Sequence, residues 1–350
     1  MKTIKVNSLP VLEVIRDLSK EFGTTYQADI CEFKVIIPES FGSGFIKGYQ
    51  LNGGIGVLEY QCTFYQDLEI KFIVSDVHPI KFIYVTKGNL EHRFENEKKI
   101  HLIDEYQNAI ISSSDTNGHV LNFHANTTVS KFSIEVNREL FQIEPAFQNS
   151  KVNTSIYNLF SDYKAKQSFY HKGGYSLSIS HIFKNLREFE INFSGDKLIY
   201  KFHMESVAFK TLVVHLSEYL EDINIYKSKK ILRKREFEKI EKAIDFIDVN
   251  ISTFKGIDQL TRETGLNSMK LQKGFKHLMG KTVNQYVQDT RLLKAKKLLV
   301  ESDISISEIV LKIGLKSNGY FSRIFKEKYG FSPSLFKISN TNTSRDHENR

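Results

Sequence analysis

The chain has 350 residues, a net charge of +8 and a 41% apolar share, enough for two or three soluble domains with their own cores. No apolar run reaches the roughly 18 residues of a membrane-spanning helix, and Met1–Pro10 has neither the long apolar core nor the cleavage site of a signal peptide. Two cysteines, Cys31 and Cys62, are too few for a disulfide framework or a zinc site and fit a reducing cytoplasm.

A short helix is expected at Val11–Lys20, bracketed by Pro10 and Gly23. From Ile30 to Val136 the pattern is β. Short segments rich in Val, Ile, Phe, Tyr and Thr stand at Cys31–Ile37, Ser43–Leu51, Ile55–Phe64, Leu68–Ser75, Lys81–Thr86, Asn89–Phe94, Lys99–Ile103, Ala109–Ser112, His119–Phe123 and Val129–Val136. Asn52-Gly53-Gly54 and Lys87-Gly88-Asn89 read as hairpin turns. Many short strands at regular spacing predict a barrel or a double-sheet sandwich, and Phe82–Phe94 resembles the strand–turn–strand of a cupin-like barrel. Such an interior can hold one small ligand. The candidate lining residues are Tyr49, Tyr60, Phe72, Phe82, Tyr84, His92, Phe94 and His101, whose inward or outward sense the alternation does not fix. His78, His92, His101, His119 and His124 lack the close His-x-His pair and following Glu of a metal-binding cupin, so no metal and no cofactor is expected. Gly42–Gly44 and Gly53-Gly54 are not phosphate loops, since no helix or GK[ST] follows them.

Residues 137–174 read as a connection with short helical pieces and a loop at His171–Gly174. Two strong helical patterns follow, Ser176–Phe189 and Lys197–Ile225, the second with a long apolar face from Leu198 to Ile223. This hairpin either packs on the β domain or pairs two protomers, and the length of the face favours pairing. Tyr226–Arg235 is a basic linker, and Glu236–Val249 is an amphipathic helix.

One pattern then occurs twice. Ile257, Leu260, Thr261, Gly265, Leu266, Leu271, Phe275, Lys276 and Gly280 match Ile306, Ile309, Val310, Gly314, Leu315, Phe321, Phe325, Lys326 and Gly330, with one extra residue before Phe321. Each copy reads as helix, glycine turn, helix. Asn267 or Ser268 caps the second helix of the first copy, and Ser317 that of the second. Tyr320, Phe321, Phe325 and Tyr329 are expected in the core. The outer faces carry Ser268, Lys270, Gln272, Lys273, Lys276 and His277, then Asn318, Ser322, Arg323, Lys326 and Lys328, side chains suited to base edges and phosphates. Val283–Val300 is an uninterrupted helical pattern between the copies. At about twenty residues it spans roughly 30 Å, close to the about 34 Å between successive major-groove segments on one face of B-DNA. Charge follows the same division: residues 227–340 hold 24 Lys and Arg against 12 Asp and Glu, so most of the positive charge lies where phosphates would be neutralised.

Ile309–Lys337 resembles the signature of the AraC/XylS transcription regulators, and the likeness extends from Arg235 to Lys337. It implies a seven-helix DNA-binding domain with Met269, Gln272 and Lys273, and Asn318, Gly319, Ser322 and Arg323, at base- or phosphate-contacting positions. Leu315, Gly319 and Lys337 depart from the family pattern, where an aromatic, a polar residue and an arginine are usual. Gly319 matters most, because it removes a side chain from the reading face. The full expected DNA set is Ser268, Met269, Lys270, Gln272, Lys273, Lys276, Ser317, Asn318, Gly319, Ser322, Arg323 and Lys326.

The expected fold is a two-domain α+β chain: an N-terminal cupin-like β-barrel or sandwich with a helical hairpin, and a C-terminal all-α domain with two helix-turn-helix motifs joined by a long helix. The divisions are 1–174 (sensor), 175–226 (dimerising hairpin), 227–235 (linker), 236–338 (DNA binding) and 339–350 (disordered tail). The expected partners are promoter DNA, a small-molecule effector, a second copy of the chain and RNA polymerase, with no membrane. Lys270–Lys276 and the following helix are most similar to regulators of iron-siderophore uptake. Two alternatives are a DNA-repair methyl acceptor, which needs an activated cysteine, and an architectural protein without sequence preference.

Overall fold

The computed structural model describes residues 2–7, 9–73, 79–141, 154–224 and 234–338. The expected linker up to residue 233, His78 and the tail 339–350 lie outside the described residues. Contacts divide the chain into two units, Met1–Ser228 and Lys229–Arg350. No described helix is long and apolar enough to cross a membrane.

The first unit runs β1 (Lys2–Val6), α1 (Val11–Phe22), β2 (Tyr26–Asp29), β3 (Glu32–Ile36), β4 (Gly42–Gln50), β5 (Ile55–Phe64), β6 (Leu68–Phe72), β7 (Ile80–Lys87), β8 (Leu90–Phe94), β9 (His101–Ile103), β10 (Gln107–Ser112), β11 (His119–Phe123), β12 (Thr128–Val136), α2 (Thr154–Ser161), β13 (Phe169–Tyr175), α3 (Leu177–Asn192) and α4 (Lys197–Asn224). The strands form two open sheets, β1-β6-β11-β8-β9 and β13-β10-β7-β12-β5-β4-β3-β2. Strands β5 to β12 distribute between the sheets as β10-β7-β12-β5 and β6-β11-β8-β9, the double-sheet order of a jelly roll. The fold is therefore a sandwich and not a closed barrel. Asn52–Gly54 turns a hairpin between β4 and β5, with Gly53 and Gly54 at φ +65° and +73°. Lys87–Asn89 is no hairpin, because β7 and β8 lie in different sheets and the chain crosses between them there.

Three strands go beyond the sequence pattern. β1 is an edge strand of the smaller sheet that pairs parallel to β6. β2 is a mostly exposed strand at one edge of the larger sheet. β13 occupies the loop expected at His171–Gly174. Of its two glycines, Gly173 packs closely: a Cβ there would fall 1.8 Å from Asn108 Oδ1 on the neighbouring strand, and a strand glycine marks such close approach.

The central strands of the larger sheet are buried on both faces. Leu58, Tyr60, Cys62 and Phe64 of β5 and Ile83 and Val85 of β7 face the smaller sheet, whose Ile70, Phe72, Leu90, Phe94 and Leu121 meet them. Tyr49, Val57, Phe82, Tyr84, Phe132 and Ile134 face the other way, under α3 and α4. There Phe132 and Phe183 stack with centroids 3.7 Å apart, Lys47 Nζ donates to Glu190 at 3.0 Å, the Tyr49 hydroxyl donates to the same oxygen at 2.9 Å, and Arg187 pairs with Glu59. Burial raises the Glu190 carboxyl, but attraction to Lys47 and Arg187 outweighs it and holds the group below its ordinary value. One face of the hairpin is thus docked on its own sheet. The opposite face of α4 leaves Leu198, Phe202, Phe209 and Val213 exposed.

The second unit comprises α5 (Lys234–Asn250), α6 (Ile257–Thr264), α7 (Ser268–Met279), α8 (Val283–Glu301), α9 (Ile306–Lys312), α10 (Asn318–Tyr329) and a final helical segment at residues 333–338. Phe237, Ile240 and Ile247 on α5 are fully buried. α7 crosses α5 at Gly274, where a Cβ would meet Ile240 Cδ1 at 2.5 Å.

Truncating Phe183 to Ala removes the ring that fastens the hairpin to the sheet. The expected cost is about 3–5 kcal/mol, read as a lowered denaturation midpoint of the full chain with an unchanged slope.

Candidate DNA interface

Both duplicated segments fold as helix-turn-helix units, and local chemistry accounts for each turn. α6 stops at Gly265, φ +66°, and Asn267 caps α7 by accepting from the Lys270 amide at 2.8 Å. α9 opens on a reciprocal capping box between Ser305 and Glu308. Gly314 sits at φ +74°, and Ser317 Oγ accepts from the Tyr320 amide at 3.2 Å to start α10.

α8 belongs to both units. Its Tyr286 meets Phe275 of α7 at 5.5 Å between centroids, while Leu292, Ala295 and Leu299 pack with Ile309, Val310, Phe321 and Phe325. Nineteen helical residues span about 28 Å. Three further contacts fix the second helix-turn-helix against the first. A Cβ on Gly314 would lie 2.4 Å from the Ser252 carbonyl oxygen, so the turn rests directly on the backbone between α5 and α6. Arg291 on α8 donates to the Phe254 carbonyl at 2.9 Å. Asp289 accepts from Lys281 at 2.6 Å, just before α8, and from Lys328 on α10.

The expected DNA residues fall into two groups. Ser268, Met269, Lys273, Gly319, Arg323 and Lys326 are exposed and Ser322 is half-buried, while exposed Ser317 is held by its cap to the Tyr320 amide. Lys270, Gln272, Lys276 and Asn318 are exposed or half-buried but already hold intramolecular partners: Glu236, the Val283 amide, the Gly280 carbonyl and Ser307 respectively. Gln272 thereby fastens α7 to the start of α8. Lys273 has no ion pair among the described residues, and Arg323 has only the ring of Tyr320, 5.5 Å away. Tyr320 departs from its expected core position. It is 41% exposed, because the extra residue of the second copy moves the buried position to Phe321. Gly319 faces open space: a Cβ added there would meet nothing nearer than Ser317 Oγ, at 4.0 Å.

In the N-terminal unit, Tyr60, Phe72, His92, Phe94 and His101 lie on strand positions facing between the sheets, whereas Tyr49, Phe82 and Tyr84 lie beneath α3 and α4. The eight candidate lining residues therefore divide between two faces. Among the described residues no group of three His, Cys, Asp or Glu could hold a metal. Cys31 and Cys62 are buried and free; burial pushes the Cys62 thiol up to about 12, opposite to what a methyl-accepting nucleophile requires.

A family model described as a helix-turn-helix domain matches residues 260–337. The probable transcription factor PqrA of Proteus vulgaris is 39% identical over 85 residues, which is 24% of this chain and 70% of its own length. The transcriptional activator AarP of Providencia stuartii is 28% identical over 102 residues, 29% of this chain and 76% of its own. Among solved structures, apo ToxT from Vibrio cholerae aligns over 82% of this chain and 98% of its own at 15% identity and a TM-score of 0.32, too loose to assign the fold. Two capped helix-turn-helix units on a shared helix define a DNA-binding transcription regulator. The chain belongs to the AraC/XylS family. The family-model match lies in its C-terminal part.

Arg323→Ala should weaken specific promoter binding by about 1–3 kcal/mol, measured by titration of labelled DNA; unchanged affinity would remove α10 from the interface. Asp289 supplies a second expectation. Burial raises its pKa, but hydrogen bonds from Lys281 and Lys328 outweigh this and hold it below the ordinary 3.8. A depressed folded pKa stabilises above the unfolded value and the contribution is lost as pH falls through the folded one. Asp289→Asn should therefore lower the melting temperature at pH 7, with a gap from wild type that narrows below pH 3.8; a gap constant with pH would show that the ion pairs contribute nothing.

Proposed function

We propose that this regulator senses a small molecule in its N-terminal sandwich and acts as a homodimer in the cytoplasm, contacting RNA polymerase at the promoters it occupies. The observation that carries the homodimer is the outer face of α4. Leu198, Phe202, Phe209 and Val213, each at least 48% exposed, follow one another at spacings of four, seven and four residues. That is the spacing of a helix–helix seam, and contiguous apolar surface of this kind marks an interface. A dimer would present two double units to paired half-sites, as two-fold DNA-binding proteins do.

The sensor role is supported by the jelly-roll strand order, which cupin-like domains share, and by the polar groups between its sheets. The iron-siderophore class rests on the likeness at Lys270–Lys276 and the following helix. At the DNA, we assign the reading roles to Met269, Lys273, Ser322 and Arg323, with Gly319 a gap in the second helix. Lys270, Gln272, Lys276 and Asn318 act after exchanging their intramolecular partners for DNA, and Ser268, Ser317 and Lys326 lie beside the phosphates.

Selection of bound fragments from genomic DNA with the full chain should return a repeated motif. Equal affinity for random and selected DNA at physiological salt would leave only an architectural role. Phe209→Asp with Val213→Asp should convert the chain to a monomer in sedimentation and reduce affinity for paired sites while sparing single sites; a wild-type chain that sediments as a monomer at micromolar concentration would end the pairing proposal.

A further inference from the structure

The facing surfaces of the two sheets are apolar except over one patch. Lys81 on β7 and Lys131 and Glu135 on β12 point between the sheets, and each is no more than 2% exposed. Lys81 Nζ donates to Glu135 Oε2 at 2.5 Å, and Ser133 Oγ donates to Glu135 Oε1 at 3.0 Å. The single carboxylate is therefore engaged by one lysine. Lys131 Nζ lies 4.0 Å over the ring of Tyr60, its register partner on β5. Two lysines face one carboxylate, so when both are protonated one positive charge has no counterion in a water-poor interior. Burial accordingly pushes the Lys131 pKa down to about 7, against the pull of Glu135.

Donors and acceptors without partners gather at the same place. The Tyr60 hydroxyl and both ring nitrogens of His92 and of His119 are buried and make no hydrogen bond among the described residues. His119 stacks on Phe72 at 4.4 Å, Lys81 Nζ sits 4.3 Å over the same Phe72 ring, and His92 lies 5.7 Å from His119. Buried polar atoms are ordinarily paired, so orphaned groups clustered around an uncompensated charge point to a ligand of matching chemistry. Water would satisfy the hydrogen bonds but not the charge.

We infer that the effector is a small monocarboxylic acid held between the sheets, its carboxylate meeting the Lys131 ammonium and the Tyr60 hydroxyl, with His92 and His119 completing its hydrogen bonds. The inference rests on the sensor reading above and specifies its ligand class. One negative charge balances the patch, whereas a phosphate dianion would overshoot it. Charge-assisted hydrogen bonds to a carboxylate are the strong kind, and the surrounding Phe72, Phe94 and Leu121 suit an apolar body.

The test uses the full chain and a small-molecule extract of host cells divided by anion exchange. The retained, acidic fraction should raise the melting temperature of the wild type, and native mass spectrometry should show a bound acid. Lys131→Met should weaken binding of that acid tenfold or more. It replaces a buried charge with an apolar side chain of similar length, a change that proteins often tolerate. Tyr60→Phe removes only an unpaired hydroxyl and should weaken the same acid severalfold, so a folding defect in one variant does not decide the outcome. Stabilisation by the neutral flow-through instead, equal in wild type and Lys131→Met, would overturn the carboxylate assignment while leaving the sensor standing. No stabilisation and no change in DNA affinity with either fraction would overturn both.

Discussion

The arrangement of the DNA-binding unit depends on one helix serving two cores. The first turns of α8 complete the packing around Phe275, and its last turns complete the packing around Phe321 and Phe325. Both helix-turn-helix units bury part of their apolar faces against it, so the spacing and rotation of the two reading helices follow from core packing. The Gly314 contact adds a second line of attachment away from the helix itself, and Arg291 and Asp289 tie the helix to the Phe254 carbonyl and to Lys328. Reading helices held this way enter DNA with little orientational freedom left to lose, which limits the entropy cost of binding.

This part of the molecule is legible in its sequence because the signals are local. A glycine at each left-handed turn, a capping side chain two or three residues on and apolar residues at helical spacing specify each unit without knowledge of the other. The exception is Tyr320, where an inserted residue rotates the helix start and exchanges the buried ring for its neighbour. The sequence does not reveal which polar side chains are already engaged. Gln272 and Asn318 look like reading residues by type, yet they hold Val283 and Ser307.

The sandwich is legible strand by strand but not in its connections. Ile55–Phe64 and His119–Phe123 match their expected limits. The Lys87–Asn89 turn reads as a hairpin that does not exist, since turn chemistry is the same whether a chain returns to its own sheet or crosses to the other. The inward sense of the strands is also hidden. Alternation distinguishes faces only when one of them meets water, and the larger sheet is covered by the second sheet on one side and by α3 and α4 on the other. Its strands are therefore apolar at consecutive positions. Against that background Lys81, Lys131 and Glu135 resemble ordinary solvent-facing residues until the fold shows that they point inward.

The bare backbone contact at Gly314 constrains how such proteins can be recombined. The second reading helix begins beyond it and presents its outer face freely, so residues 318–328 form a cassette whose exposed positions can be rewritten to address new operators. The preceding turn is not part of that cassette. A chimera that imports a whole second unit with any side chain at this position would force it off the Ser252 carbonyl and tilt the transplanted helix out of phase with its neighbour, so that two competent halves would fail to share one stretch of duplex.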